Sequence, residues 1–207
     1  MNSNRIRRFA LATILVLTFS TLALAGPPLV CHPFEIGPAK TLPWVDLNYR
    51  KGGGSYDLGN LTRDTLAILD ANPSTLVQME TLRRATIYAR QDERAAKQLL
   101  VQLHARAEKA GASPDALFDF GYLVEAYKQW MMGPNEPNPA RGVDGYSLVK
   151  RAIAQKGSDP QMEFAAALIA VTGSESDRKH HLERASAGAK NDPLLAQNLI
   201  ANFGKQQ

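Results

Sequence analysis

The sequence predicts an all-α protein, with antiparallel helix pairs in a short α-solenoid or an irregular helical bundle and an extended proline-rich N-terminal arm. Three observations predict this fold class. Apolar residues recur at spacings of three and four from position 60 onward, the period of amphipathic helices. Beyond position 25 no run of alternating β-branched residues suggests a strand. Capping residues followed by proline recur along the chain and mark helix starts.

Residues 1–25 have the order of a secretory signal peptide. The basic stretch "MNSNRIRR" precedes 17 apolar or small residues, and the run closes on "ALA" at 23–25, a signal-peptidase pattern. A retained membrane anchor is the alternative, although 17 residues lie at the short limit of a bilayer span. We expect cleavage before Gly26, no stable membrane insertion afterwards, and an exported protein, periplasmic or extracellular.

Cleavage would change the charge balance of the protein. The whole chain has 24 Lys and Arg against 20 Asp and Glu, and losing the three leader arginines leaves 21 against 20. A nearly neutral protein offers little electrostatic attraction to nucleic acid, so we expect no nucleic-acid partner. The single cysteine cannot form an internal disulfide, and stability must therefore come from packing.

Residues 26–59 are predicted to form an arm and a hinge. Prolines at 28, 33, 38 and 43 recur every five residues with apolar residues between them, which favours extended backbone. We expect the arm to lie along the helices, anchored by Phe34 and Trp44. The alternative is a docking peptide for another envelope protein or for a second copy, giving a homodimer. The string "KGGGSYD" (51–57) lacks the order of a phosphate-binding loop and is typical of a flexible hinge.

Residues 60–207 are predicted to form the helical domain. The apolar faces lie within 61–69, 76–89, 96–107, 117–131, 146–153, 162–171, 176–189 and 193–203. The sixth, "MEFAAALIAV", is apolar nearly all round and predicts an inner helix.

Four dipeptides punctuate this domain. They are Asn72-Pro73, Ser113-Pro114, Asp159-Pro160 and Asp192-Pro193. A side-chain oxygen at the N-cap with proline at the next position is a strong helix start. The intervals of 41, 46 and 33 residues each hold two helices, which is the layout of an α-solenoid.

The unit from 159 to 191 resembles a tetratricopeptide repeat, whose period is about 34 residues. The matching positions are Ala166, Ile169 and Ala170 in the first helix, Leu182, Ala185 and Gly188 in the second, and Asp192-Pro193 at the close. It departs from the pattern in lacking the first helix's tryptophan and tyrosine, and His181 stands where a small residue is usual. An irregular bundle without repeat ancestry is the alternative. The arm, in turn, resembles the mature N-termini of uncharacterised exported bacterial proteins, which implies export and no particular activity.

The resemblance to tetratricopeptide repeats implies a scaffold whose groove binds peptides or partner proteins. The predicted partner contacts are Arg83, Arg84, Tyr88, Tyr122 and Tyr127, because arginine and tyrosine are enriched in interface cores. Ordinary surface or core positions are the alternative for each. The loop "MMGPNEPNPARGVDG" (131–145) is too long for a tight helix turn. It is either a tolerated insertion or a partner contact, with Trp130 and Met131 at its base.

No catalytic residue, metal site or cofactor is predicted. Cys31 and His32 form the only candidate thiol site. Covalent haem attachment at this site is excluded, because its motif needs a second cysteine at position 28, which is proline. One cysteine and four histidines have no metal-ligand spacing. The acidic pairs Asp92-Glu93 and Asp115/Asp119 lie at helix starts, where carboxylates favour the helix dipole.

Three hypotheses for function follow. The first is a non-enzymatic interaction module or scaffold of the cell envelope, with an unidentified protein or peptide partner. The second is a thiol-dependent function at Cys31, which would be redox exchange, a disulfide-linked dimer or metal capture with His32. The third is an enzyme with a site that no motif reveals.

Overall fold

The computed structural model describes residues 28–44, 56–71, 73–109, 111–130 and 138–204. The predicted signal peptide, most of the hinge and Met131 lie outside these residues. Within them the protein is all-α, with eight α-helices and no strand, as the sequence predicts. The helices are α1 (Leu61–Asp70), α2 (Thr75–Ala89), α3 (Glu93–Glu108), α4 (Pro114–Trp130), α5 (Gly145–Lys156), α6 (Pro160–Ile169), α7 (Glu175–Gly188) and α8 (Pro193–Phe203). None of these helices combines the length and the apolar composition needed to span a bilayer.

Three of the four predicted helix starts are confirmed. The Ser113, Asp159 and Asp192 side chains accept hydrogen bonds from backbone N–H groups in the first turns of α4, α6 and α8, and proline opens each helix. The start at Asn72-Pro73 is wrong, because α2 begins at Thr75 with Ser74 as its N-cap residue. The Gln161 side chain of α6 accepts instead from the N–H of Leu76 at 3.0 Å, so a tertiary contact replaces the local cap.

Antiparallel pairs pack α4 against α5 and α6 against α7. In the second pair the start of α6 meets the end of α7, where a Cβ added at Gly188 would clash with the ring of Pro160. In the first pair Lys156, at the end of α5, contacts Asp115, in the first turn of α4, at 2.8 Å. Gly188 thus lets α6 and α7 approach closely, and the Lys156–Asp115 contact places the end of α5 beside the start of α4.

Two helices form the centre of the array. Every residue of α6 from Met162 to Ile169 is buried, which confirms the predicted inner helix. All of α2 except Arg84 is buried as well, although its sequence predicts a single apolar face. The additional burial of α2 arises because the arm covers its other side.

The α4–α5 contact predicts that Gly121→Ala destabilises the protein by about 1–2 kcal/mol. A Cβ at residue 121 would lie 2.7 Å from the carbonyl oxygen of Gly145 and 2.9 Å from Cβ of Leu148, so the helices must separate. The cost of overpacking exceeds the roughly 1 kcal/mol that alanine gains over glycine in helix propensity. Urea unfolding measures the change, and Gly121→Val should cost more. Equal stability of Gly121→Ala and the wild type would contradict the close approach.

Candidate functional site

The arm lies in a groove of the helical domain and is held along residues 28–44. Leu29, Val30 and Leu42 are fully buried, and Phe34 is 4% exposed. The backbone is non-helical throughout, with turns at 28–30 and 37–38, and Gly37 has a φ of +60° that favours glycine. The arm is therefore an ordered part of the protein, and its buried apolar residues belong to the hydrophobic core.

The floor of the groove is a charged cluster on α2 that binds main-chain atoms of the arm. Glu80 Oε2 accepts from the N–H of Phe34 at 3.0 Å. Arg83 Nη1 donates to the carbonyl oxygen of Val30 at 3.0 Å. Arg84 Nη1 donates to the carbonyl oxygen of Leu42 at 2.6 Å. Charged side chains thus bond both N–H and carbonyl groups of the arm's backbone, and such hydrogen bonds are stronger than those between neutral groups.

The three charges of this cluster also satisfy one another. Arg83 Nε and Nη2 donate to Glu80 at 2.7 and 2.9 Å, and Arg84 Nε donates to Glu80 at 2.7 Å. The side chains of Glu80 and Arg83 are 1% and 2% exposed. Buried ions are tolerated only when paired and fully hydrogen-bonded, so the arm's backbone completes a set of partners that the helix alone leaves incomplete.

Two amide side chains hold the arm at either end of its first half. Gln129 Oε1 in α4 accepts from the N–H of Leu29 at 2.9 Å. Asn198 in α8 bonds both backbone groups of Glu35, accepting from its N–H at 3.0 Å and donating to its carbonyl oxygen at 2.9 Å. Two helices that are distant in sequence therefore bind the same segment, and each of these hydrogen bonds is to a backbone atom of the arm.

Aromatic residues complete the groove. Phe34 packs perpendicular to Phe164 of α6, with ring centroids 6.0 Å apart. Trp44 packs edge-on against Tyr88 at 5.9 Å, and the Arg83 and Arg84 guanidinium carbons lie 5.3 and 5.8 Å from its ring. These distances are within cation–π range. Both residues predicted as arm anchors thus contact the helical domain.

Tyr88 and Thr81 extend the contacts with the arm's second half. The Tyr88 hydroxyl donates to the carbonyl oxygen of Pro43 at 2.6 Å, and the hydroxyls of Thr41 and Thr81 are 2.8 Å apart. Of the five predicted groove residues, the structure therefore brings Arg83, Arg84 and Tyr88 to the arm.

The other predicted partner contacts lie elsewhere. Tyr122 and Tyr127 are fully buried among the helices, which is the core alternative, and burial raises the pKa of both. The ring of Trp130 lies 4.9 Å from the Arg90 guanidinium carbon, in the wall of a cavity of about 600 Å³ that Ile87 also lines.

Cys31 is a half-buried free thiol, and its neighbour His32 is exposed. Burial raises the pKa of the thiol, and the nearby Arg83 partly offsets that rise. A raised pKa lowers the thiolate fraction at neutral pH, which is the opposite of what a reactive cysteine needs. Among the described residues no group of three or more His, Cys, Asp or Glu side chains could hold a metal ion.

The groove's key residues Glu80, Gln129 and Asn198 were missed by the sequence prediction. Glu80 carries a signal, since this carboxylate stands three and four residues before two arginines, at ion-pair spacing on a helix. Gln129 and Asn198 carry none, because a single amide in a helix is equally compatible with solvent. Gln129 and Asn198 can be recognised as groove residues only once the position of the arm is known.

A second polar cluster joins three helices away from the arm. His181 Nδ1 lies 2.6 Å from Glu163 Oε2, and its Nε2 lies 2.8 Å from the Tyr146 hydroxyl. Burial and the nearby Asp177 raise the pKa of Tyr146 to about 12. Glu163, His181 and Tyr146 do not line the cavities described beside Trp130, beside His104 and beside Phe203. Their hydrogen bonds join α5, α6 and α7.

The burial of Asp119 predicts that the stability of the protein depends on pH. The sequence interpretation of Asp119 as a residue at a helix start is wrong, because α4 begins at Pro114 and Asp119 lies in its second turn, where its carboxyl is 1% exposed. Burial raises its pKa from 3.8 to about 8, with Arg106 opposing and Asp115 and Asp70 reinforcing the rise. The folded state therefore keeps a proton that the unfolded chain loses near pH 4, and stability declines as pH rises from about 4 to 8.

Replacing this carboxyl with an amide should remove that part of the decline. We expect Asp119→Asn to gain stability relative to the wild type at pH 8.5 compared with pH 5, by about 1 kcal/mol or more. Thermal unfolding at the two pH values measures the difference, with Glu175→Gln, an 89% exposed carboxylate on α7, as control. A constant difference between variant and wild type from pH 5 to 8.5 would contradict the raised pKa.

Comparison with protein-family models, curated proteins and solved structures gives no match. What the chain does must therefore follow from the chemistry of its own residues. Among the described residues, side chains of α2, α4, α6 and α8 converge on one polypeptide segment in the arm groove.

Proposed function

We propose that this protein is an exported, non-enzymatic interaction module whose helical domain binds a non-helical polypeptide segment of a partner in the arm groove. The observation that carries the proposal is the main-chain recognition of the arm by Glu80, Arg83, Arg84 and Asn198. Side chains that bond backbone atoms accept many sequences, as peptide-binding grooves require. The leader-like sequence of residues 1–25 supports export.

In this proposal the arm occupies the groove until a segment of the partner replaces it. Residues 45–55 connect the arm to Tyr56, and their sequence, with three consecutive glycines, predicts a flexible hinge. A tether of that length gives an effective concentration in about the millimolar range, so the arm stays bound until a stronger segment competes. This arrangement covers the charged groove in the absence of a partner.

The experiment measures binding of a fluorescent peptide with the sequence of residues 28–44, with serine at position 31, to purified Phe34→Ala protein. Losing the buried phenyl ring weakens the protein's own arm, so the peptide, which retains the ring, should bind saturably in about the micromolar range. His32→Ala, an exposed change in the same arm, should bind the peptide as weakly as the wild type. Failure of the peptide to bind Phe34→Ala protein whose arm is released would contradict the proposed function.

A further inference from the structure

The prolines of the arm stand in a fixed relation to the groups that the groove binds. Pro28 is followed by Leu29, whose N–H donates to Gln129, and Pro33 is followed by Phe34, whose N–H donates to Glu80. Proline has no N–H, and at both positions the donor that the groove needs belongs to the next residue. The proline and the buried apolar residue therefore form a single step, repeated after five residues.

Each step also orients the apolar side chain. Leu29 is fully buried, and Phe34 is 4% exposed and packs on Phe164, whereas Pro33 is exposed. Between the steps, Arg83 binds the carbonyl oxygen of the buried Val30. Proline fixes φ and restricts the residue before it, so the segment loses less conformational entropy when it binds. The five-residue spacing places one step at α4 and the next at α2 and α6.

We infer that the partner segment is a proline-spaced one, with the pattern proline–apolar, three residues, proline–apolar, supplied by another protein. This inference rests on the proposed function. A charged residue at either apolar position would be buried without a partner, so the two anchors are apolar.

The source of the segment follows from the tether. A second copy carries an identical arm, which would have to exceed the roughly millimolar effective concentration of the protein's own arm to replace it. A segment of another protein is free to bind more strongly than the arm, because its sequence is not fixed by this chain. The groove is thus assigned to a foreign segment and not to an exchanged arm.

The test uses Phe34→Ala protein and three synthetic peptides of residues 28–44, each with serine at position 31. The first has the arm sequence, the second exchanges each proline with its following apolar residue at 28/29 and 33/34, and the third carries an N-methyl group on Phe34. The second peptide keeps composition but lacks both donors and shifts both anchors. We expect about 30-fold or greater loss of affinity for the second peptide and about 10-fold for the third, which lacks only the hydrogen bond to Glu80.

The outcomes separate the two proposals. Equal binding of the arm peptide and the exchanged peptide would overturn the proline–apolar pattern and leave the proposed function standing. Absence of binding by all three peptides would overturn the proposed function itself. Sedimentation of the wild-type protein as a dimer at 100 μM or below, with Phe34→Ala sedimenting as a monomer, would overturn the foreign source and assign the groove to a second copy. Circular dichroism confirms that the variant remains helical, and Leu29→Ala protein provides a second loosened arm.

Discussion

Glu80→Ala is expected to destabilise the protein by about 3–5 kcal/mol. The change leaves the guanidinium of Arg83 buried and unpaired, removes a bond to Arg84, and deprives the N–H of Phe34 of its acceptor. Breaking one side of a buried ion pair costs far more than the pair contributes, because the remaining charge stays in a poorly solvated site. Urea unfolding followed by circular dichroism measures the loss.

Two further variants serve as controls for this prediction. Glu93→Ala breaks an exposed pair with Lys97, 2.7 Å apart on the surface of α3, and should cost no more than about 0.5 kcal/mol. Glu80→Gln keeps an acceptor for the arm but loses the charge, and it should fall between the two. A loss below about 1 kcal/mol for Glu80→Ala would show that the cluster is solvated and that the arm does not seal it.

Phe34→Ala is expected to release the arm while the helices remain folded. Truncating a buried phenylalanine costs about 3–5 kcal/mol, which is comparable with all that a tethered segment of this size gains by docking. The arm can therefore leave the groove without global unfolding, and the loss in global stability is limited to the docking free energy. Alkylation of Cys31 should accelerate at least about 10-fold, because release exposes the thiol and removes the burial that raises its pKa.

His32→Ala is the matched control for arm release. This residue belongs to the same arm but is exposed, so the alkylation rate of Cys31 should remain that of the wild type. An unchanged rate in Phe34→Ala would mean that the arm is held without its principal apolar anchor. The remaining contacts at Leu29 and Leu42 would then dominate docking.

The fold was largely predictable because its signals are local. The three-and-four spacing sets the eight helices, and the oxygen-proline pairs at Ser113, Asp159 and Asp192 fix three starts through hydrogen bonds within one turn. The start of α2 was mispredicted because Gln161, distant in sequence, satisfies its first turn. A tertiary partner of this kind leaves no mark near Asn72-Pro73.

The site was predictable only in part. Arg83, Arg84 and Tyr88 have chemistry that favours interfaces, and the arm's prolines indicated a non-helical segment on the helical surface. Asp119 misled because a position near a helix start does not show whether the carboxylate faces water or the core. Burial of a polar residue depends on what packs over it, and periodicity within one helix does not report this.

Amide hydrogen exchange along the arm of the wild-type protein tests the central claim most directly. The account predicts a pattern within one segment, in which the amides of Leu29, Phe34 and Glu35 are protected by Gln129, Glu80 and Asn198. The amides of the exposed residues His32 and Lys40 should exchange rapidly. Uniformly rapid exchange from residue 28 to residue 44 would contradict the account, because it would place the arm in solvent and leave the groove unoccupied.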